Sequence, residues 1–397
     1  MHIYDYIIIG SGLTGQTIAT RLSQDTKNVL LIEAENITGG SHRPTQLANQ
    51  TLENGLRYLP ATDLSVKAIQ EIENLIGLKL INEQTENLPE TYDASGFKPF
   101  VGFGDKSPEF YDQFSYFLNP SELRLNLPFY QIVNLLKEKY QGETILKSHV
   151  TQIAFQQNEN TKADAQVSHV VVNGSKSFYA QNFIFTGQIR DLAALVSDDV
   201  LNPRAKVKLK KAHYWMTVGL DLYHEDTTIN KNNLFVLDGT TDDGLGPCIG
   251  RYQTATTADV SSNQKNQQMS QWLGFVDLNT SEETENIGEV LKKMKRQIKR
   301  AFPEMAENIK AERISMSSPI TGGELKLNSN GTLHKTQNLW IASAQVSPYA
   351  NLMGSFMQSQ LTLAALGFVD FEVNYQTAQH DFTNEATTEE TELHPEI

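Results

Sequence analysis

Three glycines near the start of the chain have the spacing of a phosphate-binding turn. Gly10, Gly12 and Gly15 follow the apolar run Ile7-Ile8-Ile9 in the pattern Gly-x-Gly-x-x-Gly. Gly10 allows a tight turn away from a strand, and Gly12 has no side chain that would block a pyrophosphate. Gly15 allows the next helix to pack closely on the sheet, and the N-terminal amides and dipole of that helix stabilise phosphate charge.

A carboxylate stands at the end of the second apolar run. Val29-Leu30-Leu31-Ile32 leads into Glu33 and Ala34, at the distance where an acid accepts hydrogen bonds from a ribose diol. The same charge would repel a 2′-phosphate, so the pattern fits FAD or NAD and disfavours NADP. Because strand, turn, helix, second strand and acid are all present, we predict a dinucleotide site that also includes Leu13, Thr14 and Ala34.

The rest of the chain alternates between helical and strand patterns. Residues 63–76 and 281–302 repeat apolar side chains at helical spacing, and Asp63 is expected to cap the first of these helices. Asn173-Gly174 predicts the turn of a β-hairpin. The lysine-rich residues 204–211 either meet an acidic substrate or an anionic membrane surface, or form an edge strand with a lysine-lined solvent face.

A glycine pair decides between the two dinucleotides. Gly39-Gly40 follows the acid at a short interval, and here the sequence resembles the superfamily of flavin amine oxidases, phytoene desaturases and protoporphyrinogen oxidases. In that family the pair lets the backbone pass close to ribose and diphosphate, and an arginine commonly comes next. Here Ser41 takes that place and the basic group is displaced to Arg43. The resemblance implies FAD as the cofactor, bound in part by these four residues.

A late segment extends the resemblance. Family members carry a strand ending in Ala-Gly-Asp, where the Asp accepts hydrogen bonds near the ribityl chain. In this chain Ser343-Ala344 occupies the Gly-Asp positions, so the resemblance places Ala344 beside the cofactor without a carboxylate. A helix then starts at a glycine in the family and aims its amides at the flavin pyrimidine. Gly354 and Phe356 are the equivalent residues here, and Tyr349 is expected to line the substrate pocket.

The resemblance also implies how the chain is divided. In the family, a strand in the middle of the sequence meets the adenine through the backbone of a valine, for which Val150 is the match; Thr186 and Gly187 end a later strand of the same domain. We therefore expect a doubly wound α/β FAD-binding domain, interleaved with a substrate domain built from an antiparallel sheet and helices. The predicted divisions are an FAD domain of residues 1–77, 128–193 and 332–370, a substrate domain of residues 78–127 and 194–331, and a flexible acidic tail of residues 371–397.

Composition narrows the classes of function. A chain of 397 residues suggests at least two domains, and a net charge of −14 argues against nucleic-acid binding. Cys248 is the single cysteine, which excludes an internal disulfide, and no histidine or cysteine cluster predicts a metal site. There is no signal-peptide pattern and no apolar run near the roughly 20 residues of a membrane span, so we expect a cytoplasmic protein.

These observations favour an FAD-dependent oxidoreductase that passes a hydride from a C–N or C–C bond of a small, partly apolar substrate to flavin N5. No catalytic side chain is identified. A single dinucleotide fingerprint implies that electrons leave through oxygen, a quinone or a carrier, not through bound nicotinamide. Two alternatives stay open: a redox-neutral flavin isomerase similar to UDP-galactopyranose mutases, and a non-enzymatic FAD-binding or scaffold protein with altered motifs.

Overall fold

The computed structural model describes most of the chain. It covers residues 2–48, 50–54, 58–86, 89–103, 110, 121–156, 164–212, 214–225, 234–237, 246–253, 267–277, 284–317, 325–347 and 351–371. Tyr349 and nearly all of the acidic tail lie outside these ranges, so the expectations for them remain predictions.

The glycine motif lies in a seven-stranded sheet. Apolar runs such as Ile7-Ile8 and Leu30-Leu31 are fully buried, which is typical of parallel strands covered on both faces. The spatial order is β10-β11-β12-β1-β2-β9, with β18 paired to β12. The strands are β1 (Ile3–Ile9), β2 (Val29–Ile32), β9 (Glu143–Ile145), β10 (Val150–Phe155), β11 (Val167–Val172), β12 (Lys176–Phe185) and β18 (Leu339–Ile341).

A second seven-stranded sheet is mainly antiparallel, in the order β17-β13-β16-β15-β14-β6-β7. Its strands are β6 (Glu90–Asp93), β7 (Gly96–Pro99), β13 (Trp215–Glu225), β14 (Phe235–Leu237), β15 (Cys248–Gln253), β16 (Gln267–Asp277) and β17 (Ile309–Met316). One face packs on helix α6 (Thr284–Ala301) through Val218, Leu220 and Met294. The other face contributes Leu273 and Phe275 to a core shared with the glycine-motif half of the molecule.

Two small hairpins and seven further helices complete the described structure. The hairpins pair β3 (Thr45–Leu47) with β4 (Gln50–Leu52), and β5 (Ile81–Glu86) with β8 (Ser121–Leu125). The helices are α1 (Leu13–Leu22), α2 (Asp63–Ile76), α3 (Phe129–Lys139), α4 (Ile189–Leu195), α5 (Pro203–Lys211), α7 (Pro303–Glu307) and α8 (Asn351–Ala365). None of the helices in the described part of the chain is long and apolar enough to cross a membrane.

Two local predictions are wrong. The cap of α2 is Thr62, whose hydroxyl accepts from Ser65 N while the Ser65 hydroxyl accepts from Thr62 N, so Asp63 is already the first helical residue. The lysine-rich segment is helix α5 and not an edge strand. Asn202 caps it by accepting from Ala205 N, and Pro203 stands at its start, where a proline favours a helix.

The predicted fold class is confirmed. A Rossmann-like α/β half with parallel strands is combined with an antiparallel sheet packed on helices. The Asn173-Gly174 hairpin joins β11 to β12, and both turn residues have positive φ, as the prediction required. The exact domain boundaries remain a prediction.

Candidate dinucleotide site

Two of the three motif glycines are required by the fold itself. Gly10 has φ +104°, and a Cβ there would stand 2.5 Å from Thr186 Oγ1. A Cβ on Gly15 would lie 2.0 Å from the carbonyl oxygen of Gly10, which is backbone and cannot move aside. The Thr186 hydroxyl donates to Ile9 O at 2.8 Å, so the end of β12 closes on the turn. Thr186 therefore lies beside the glycine turn.

Gly12 is different, because protein packing does not demand a glycine there. Its φ of −65° is open to any residue. Among the described residues, a Cβ on Gly12 would meet one atom within 4 Å, the Cα of Gly40 at 4.0 Å. The glycine pair crosses over the turn at this point: Gly39 N donates to Ser11 O at 3.0 Å, and Gly40 has φ +56°. The fold leaves room beside Gly12, which fits a ligand that approaches the backbone closely.

The acid at the end of β2 is tied to the glycine turn. Glu33 is 8% exposed, and its Oε2 accepts from Ser11 N at 2.9 Å and from Ser11 Oγ at 2.5 Å. Its Oε1 accepts from Glu35 N at 2.9 Å. An ionised carboxylate offers about four acceptor positions, so one remains for a ribose hydroxyl. Ser11 as the partner of this acid was not predicted.

The start of α1 is open to an anion. Gly12 provides no side-chain cap, and the first amides of a helix, which here include those of Leu13 and Thr14, have no partner within the helix. Together with the open side of Gly12 and the position of Glu33, these amides fit the diphosphate and ribose of a dinucleotide. The residues of this half of the site are therefore compatible with the implied cofactor.

The late helix packs directly on the glycine turn. The Thr14 hydroxyl donates to Ser355 O at 3.2 Å, and Leu13 shares a buried apolar cluster with Met353 and Phe356. The predicted start at Gly354 is wrong, since α8 begins at Asn351 and places Gly354 in its first turn, buried. The structure thus brings Phe356 and Gly354 to the glycine motif from more than 300 residues away, as Thr14 and Ser355 are 341 positions apart.

The segment before α8 lacks the family carboxylate. Ala344 begins a short 3-10 turn after β18, and Ala342 N donates to Phe185 O at 2.8 Å. The two neighbouring acceptors that could replace an aspartate are already engaged: Ser343 Oγ accepts from Gln345 N at 3.3 Å, and Gln345 Oε1 accepts from Ile189 N at 2.7 Å. Each oxygen keeps a second lone pair, so either side chain can accept one further hydrogen bond but neither carries the full charge of an aspartate.

Ala344→Asp should tighten FAD binding by about two- to tenfold. The new carboxylate would supply a hydrogen bond worth roughly 0.5–1.5 kcal/mol, and Gln345 would stay engaged with Ile189. Titration of apo-protein with FAD measures the change. ADP, which lacks the ribityl chain, serves as the control ligand, and its Kd should not change. Equal or weaker FAD binding would show that this segment does not have the family role.

The other predicted cofactor-binding residues have separate surroundings. Val150 begins β10 two residues after Ser148, whose N donates to Glu33 O at 2.8 Å. Arg43 Nε donates to Gly40 O at 3.0 Å, and its Nη1 stands 3.5 Å from a Glu35 carboxylate oxygen. Three further residues were predicted. Ala34 directly follows the acid, and Ser41 is exposed. At Gly187, a Cβ would lie 2.8 Å from the Phe185 ring, which is too close.

A buried polar network next to the glycine pair was missed by the sequence reasoning. Glu53 is fully buried and accepts from Phe129 N at 2.8 Å and Tyr130 N at 2.9 Å, at the start of α3. Arg313 on β17 forms an ion pair with Asp221 on β13 and also donates to Glu53 O at 3.4 Å. Glu53 lies 76 positions from Phe129 and 260 positions from Arg313, so no local sequence pattern could have indicated this network.

Metal and thiol chemistry find no structural support in the described part of the chain. No group of three or more histidine, cysteine or acidic side chains there could hold a metal ion. Cys248 is fully buried on the α6 side of the antiparallel sheet, and burial raises the pKa of its thiol well above the ordinary range. This thiol is a packing group and not a nucleophile.

Comparison with known proteins places the fold. Residues 8–70 match the family model of the NAD(P)-binding Rossmann-like domain. No curated protein matches the chain in sequence. An oxidoreductase from Methanosarcina mazei has a TM-score of 0.65 at 11% identity, covering 90% of this chain and 99% of its own. The chain has the fold of such oxidoreductases.

Two further solved structures have a similar fold. A candidate protoporphyrinogen oxidase from Exiguobacterium sp. 255-15 has a TM-score of 0.60 at 12% identity and covers 92% of this chain and 99% of its own. A double mutant of putrescine oxidase with redesigned cofactor binding also reaches 0.60 at 12% identity, covering 91% and 99%. The resemblance to the flavin amine oxidase superfamily is confirmed as a resemblance of fold, and residues 8–70 match the model of a Rossmann-like domain.

Proposed function

We propose that this chain binds FAD and acts as an oxidoreductase on a small, partly apolar substrate. The observation that carries the proposal is the crossing of Gly39-Gly40 over Gly12, next to the turn-bound carboxylate of Glu33. A plain NAD site needs the glycine turn and the acid but not the second glycine pair, which belongs to the resembling flavoproteins. FAD is therefore favoured over NAD.

Each part of the chain has a defined task in this proposal. The amides at the start of α1, with Gly12 and Gly40, hold the diphosphate, Glu33 holds the ribose, and the backbone of Val150 meets the adenine. The bound flavin supplies two-electron chemistry, accepting a hydride from a C–N or C–C bond. The apolar cluster that joins α1 and α8 to the second sheet excludes water from the substrate; its members include Leu13, Phe356, Leu273 and Phe275.

The partners follow from the same arguments. The proposed substrate is a small molecule, as putrescine is for one solved structure of similar fold. With a single dinucleotide fingerprint in the sequence, the electron acceptor is oxygen, a quinone or a carrier. A cytoplasmic location remains part of the proposal and rests on the sequence alone.

A non-enzymatic FAD-binding protein is the second candidate, and one observation favours it. The position of the family aspartate is Ala344, and the acceptors of Ser343 and Gln345 are engaged elsewhere. A protein that only needs FAD as a structural ligand could tolerate this loss at the ribityl end.

Anaerobic reduction of the FAD-loaded protein separates the two candidates. The protein is mixed in turn with primary amines, with polyamines, and with cyclic compounds that have an oxidisable saturated C–C bond. The absorbance of oxidised flavin is followed. An oxidoreductase is expected to bleach with one of these classes and to recover its colour with oxygen or a quinone. The control is Gly12→Leu protein with the same amount of added FAD. Flavin that no substrate class reduces, and that is not reoxidised by oxygen or a quinone after chemical reduction with dithionite, would support the structural role instead.

A further inference from the structure

A histidine and a fully buried carboxylate stand together beside the glycine pair. His42 lies in the 3-10 turn Gly40–His42, two residues after the glycine that crosses over Gly12. Its Nδ1 is 3.9 Å from Glu53 Oε2. The histidine side chain is 14% exposed and the Glu53 side chain is 0% exposed. The ring can therefore reach solvent or a ligand on one side, while its Nδ1 faces a carboxylate that water does not reach.

Glu53 is held in place from two directions. Its carboxylate oxygens accept from Phe129 N and Tyr130 N at the start of α3, where the helix dipole is positive. Its carbonyl oxygen accepts from Gln271 Nε2 at 3.3 Å and from Arg313, so the same residue is attached to the antiparallel sheet. The carboxylate next to His42 is thus fixed where the two halves of the molecule meet.

His42 is also placed between the dinucleotide motif and the late helix. Its ring centre lies 5.5 Å from that of Phe129, and the Phe129 ring lies 5.8 Å from that of Phe356 on α8. Phe356 belongs to the same buried cluster as Leu13 of α1. The imidazole therefore borders the region enclosed by the glycine pair, α3 and α8.

We propose that His42 holds and exchanges a proton at this site, with Glu53 as its positioning residue. Because Nδ1 lies on the carboxylate side of the ring, 3.9 Å from Glu53 Oε2, we assign the exchange to Nε2. The inference rests on the proposed function for its role in turnover. When a CH–NH group is oxidised, two electrons leave the carbon as a hydride to oxidised flavin, and the nitrogen loses one proton. Neutral His42 receives that proton and later releases it to solvent.

The polar and charged groups around His42 affect how tightly its imidazole binds a proton. Glu53 faces it from the chain after β4, and Tyr130 follows Phe129 at the start of α3. Arg43 is the next residue in the chain, and its guanidinium is directed to Gly40 O and toward Glu35. Among the described residues, Glu53 brings a carboxylate oxygen to 3.9 Å from His42 Nδ1, so Glu53 is the acid whose removal the test uses.

Histidine NMR titration of the full chain, with isotope-labelled imidazoles, tests the pair without any cofactor. His42→Gln identifies the His42 signal among the nine histidines. In Glu53→Gln, we expect His42 to bind its proton about tenfold more weakly, because an opposite charge is removed. The matched control is Glu73→Gln. Glu73, on α2, also accepts from two successive backbone amides, those of Leu80 at 2.6 Å and Ile81 at 2.7 Å. Glu73→Gln should leave the His42 titration unchanged.

Two results would overturn the proposal. One is a His42 titration that is the same in wild type and Glu53→Gln. The other does not use Glu53→Gln, and so stands even if that variant fails to fold: a wild-type His42 that binds its proton more weakly than an ordinary histidine, whose pKa is about 6.5. If the loaded protein reduces FAD with an amine, His42→Gln should lower the limiting reduction rate by about 10²–10⁴-fold with little change in KM. An unchanged rate there would remove the role in turnover while leaving the proposed function intact.

Discussion

Replacing Gly12 with leucine should weaken FAD binding by more than a hundredfold while the ligand-free protein stays folded. The backbone at Gly12 suits any residue, and a Cβ there would meet only the Cα of Gly40 within 4 Å among the described residues. The larger side chain would occupy the space of the diphosphate and remove charge-assisted hydrogen bonds worth roughly 1.5–3 kcal/mol each. FAD titration and thermal unfolding of the apo-protein measure the two effects separately.

The neighbouring glycine provides the control for this experiment. In Gly15→Ala the new Cβ would stand 2.0 Å from Gly10 O, so we expect unfolding at lower temperature even without ligand, at a cost of roughly 1–3 kcal/mol. If Gly12→Leu retained FAD at wild-type affinity, the ligand would not pass Gly12, and the site described above would be wrong.

Asp221→Ala should destabilise the protein by about 3–5 kcal/mol. Arg313 would lose its ion-pair partner in a setting where both side chains are largely buried, and breaking such a pair leaves an uncompensated charge. Gln271 Nε2, which donates to Asp221 Oδ1 at 2.8 Å, would lose an acceptor as well. Urea unfolding of the two proteins gives the difference in free energy of unfolding.

Glu312, which directly precedes Arg313 on β17, supplies a matched control. Glu312 pairs with Lys295 at 2.7 Å, but both side chains are more than 40% exposed. Removal of an exposed pair typically changes stability by about 0–1 kcal/mol, so Glu312→Ala should have little effect. A similar small change in Asp221→Ala would show that the Arg313 network does not hold the β3–β4 hairpin segment against the antiparallel sheet.

Local patterns in the sequence were sufficient for the core of the fold. The glycine spacing requires a turn with φ above zero at Gly10 and close packing at Gly15, and both are found. Asn173-Gly174 likewise has the two positive φ values that its hairpin needs. In each case the residue type itself restricts the backbone, so the prediction needed no knowledge of distant residues.

Features set by capping or by distant contacts were harder to predict. The alternation in residues 204–211 suggested a strand, but Asn202 and Pro203 immediately before it start a helix. The late helix begins at Asn351, three residues before Gly354, so the glycine does not mark the start of this helix. Glu53 and Phe129 are 76 positions apart, and neither carries a pattern that indicates the other. Such pairs form only when the whole chain is folded.

The most direct test of the account is the identity of the nucleotide that the protein carries. Wild-type protein is purified without added nucleotide, its visible spectrum is recorded, and it is then heat-denatured so that any released ligand can be identified by chromatography and mass. The account predicts a yellow protein that releases FAD in near-stoichiometric amount, and colourless Gly12→Leu protein prepared in the same way. Release of NAD, or a protein that takes up no FAD even after reconstitution, would contradict it.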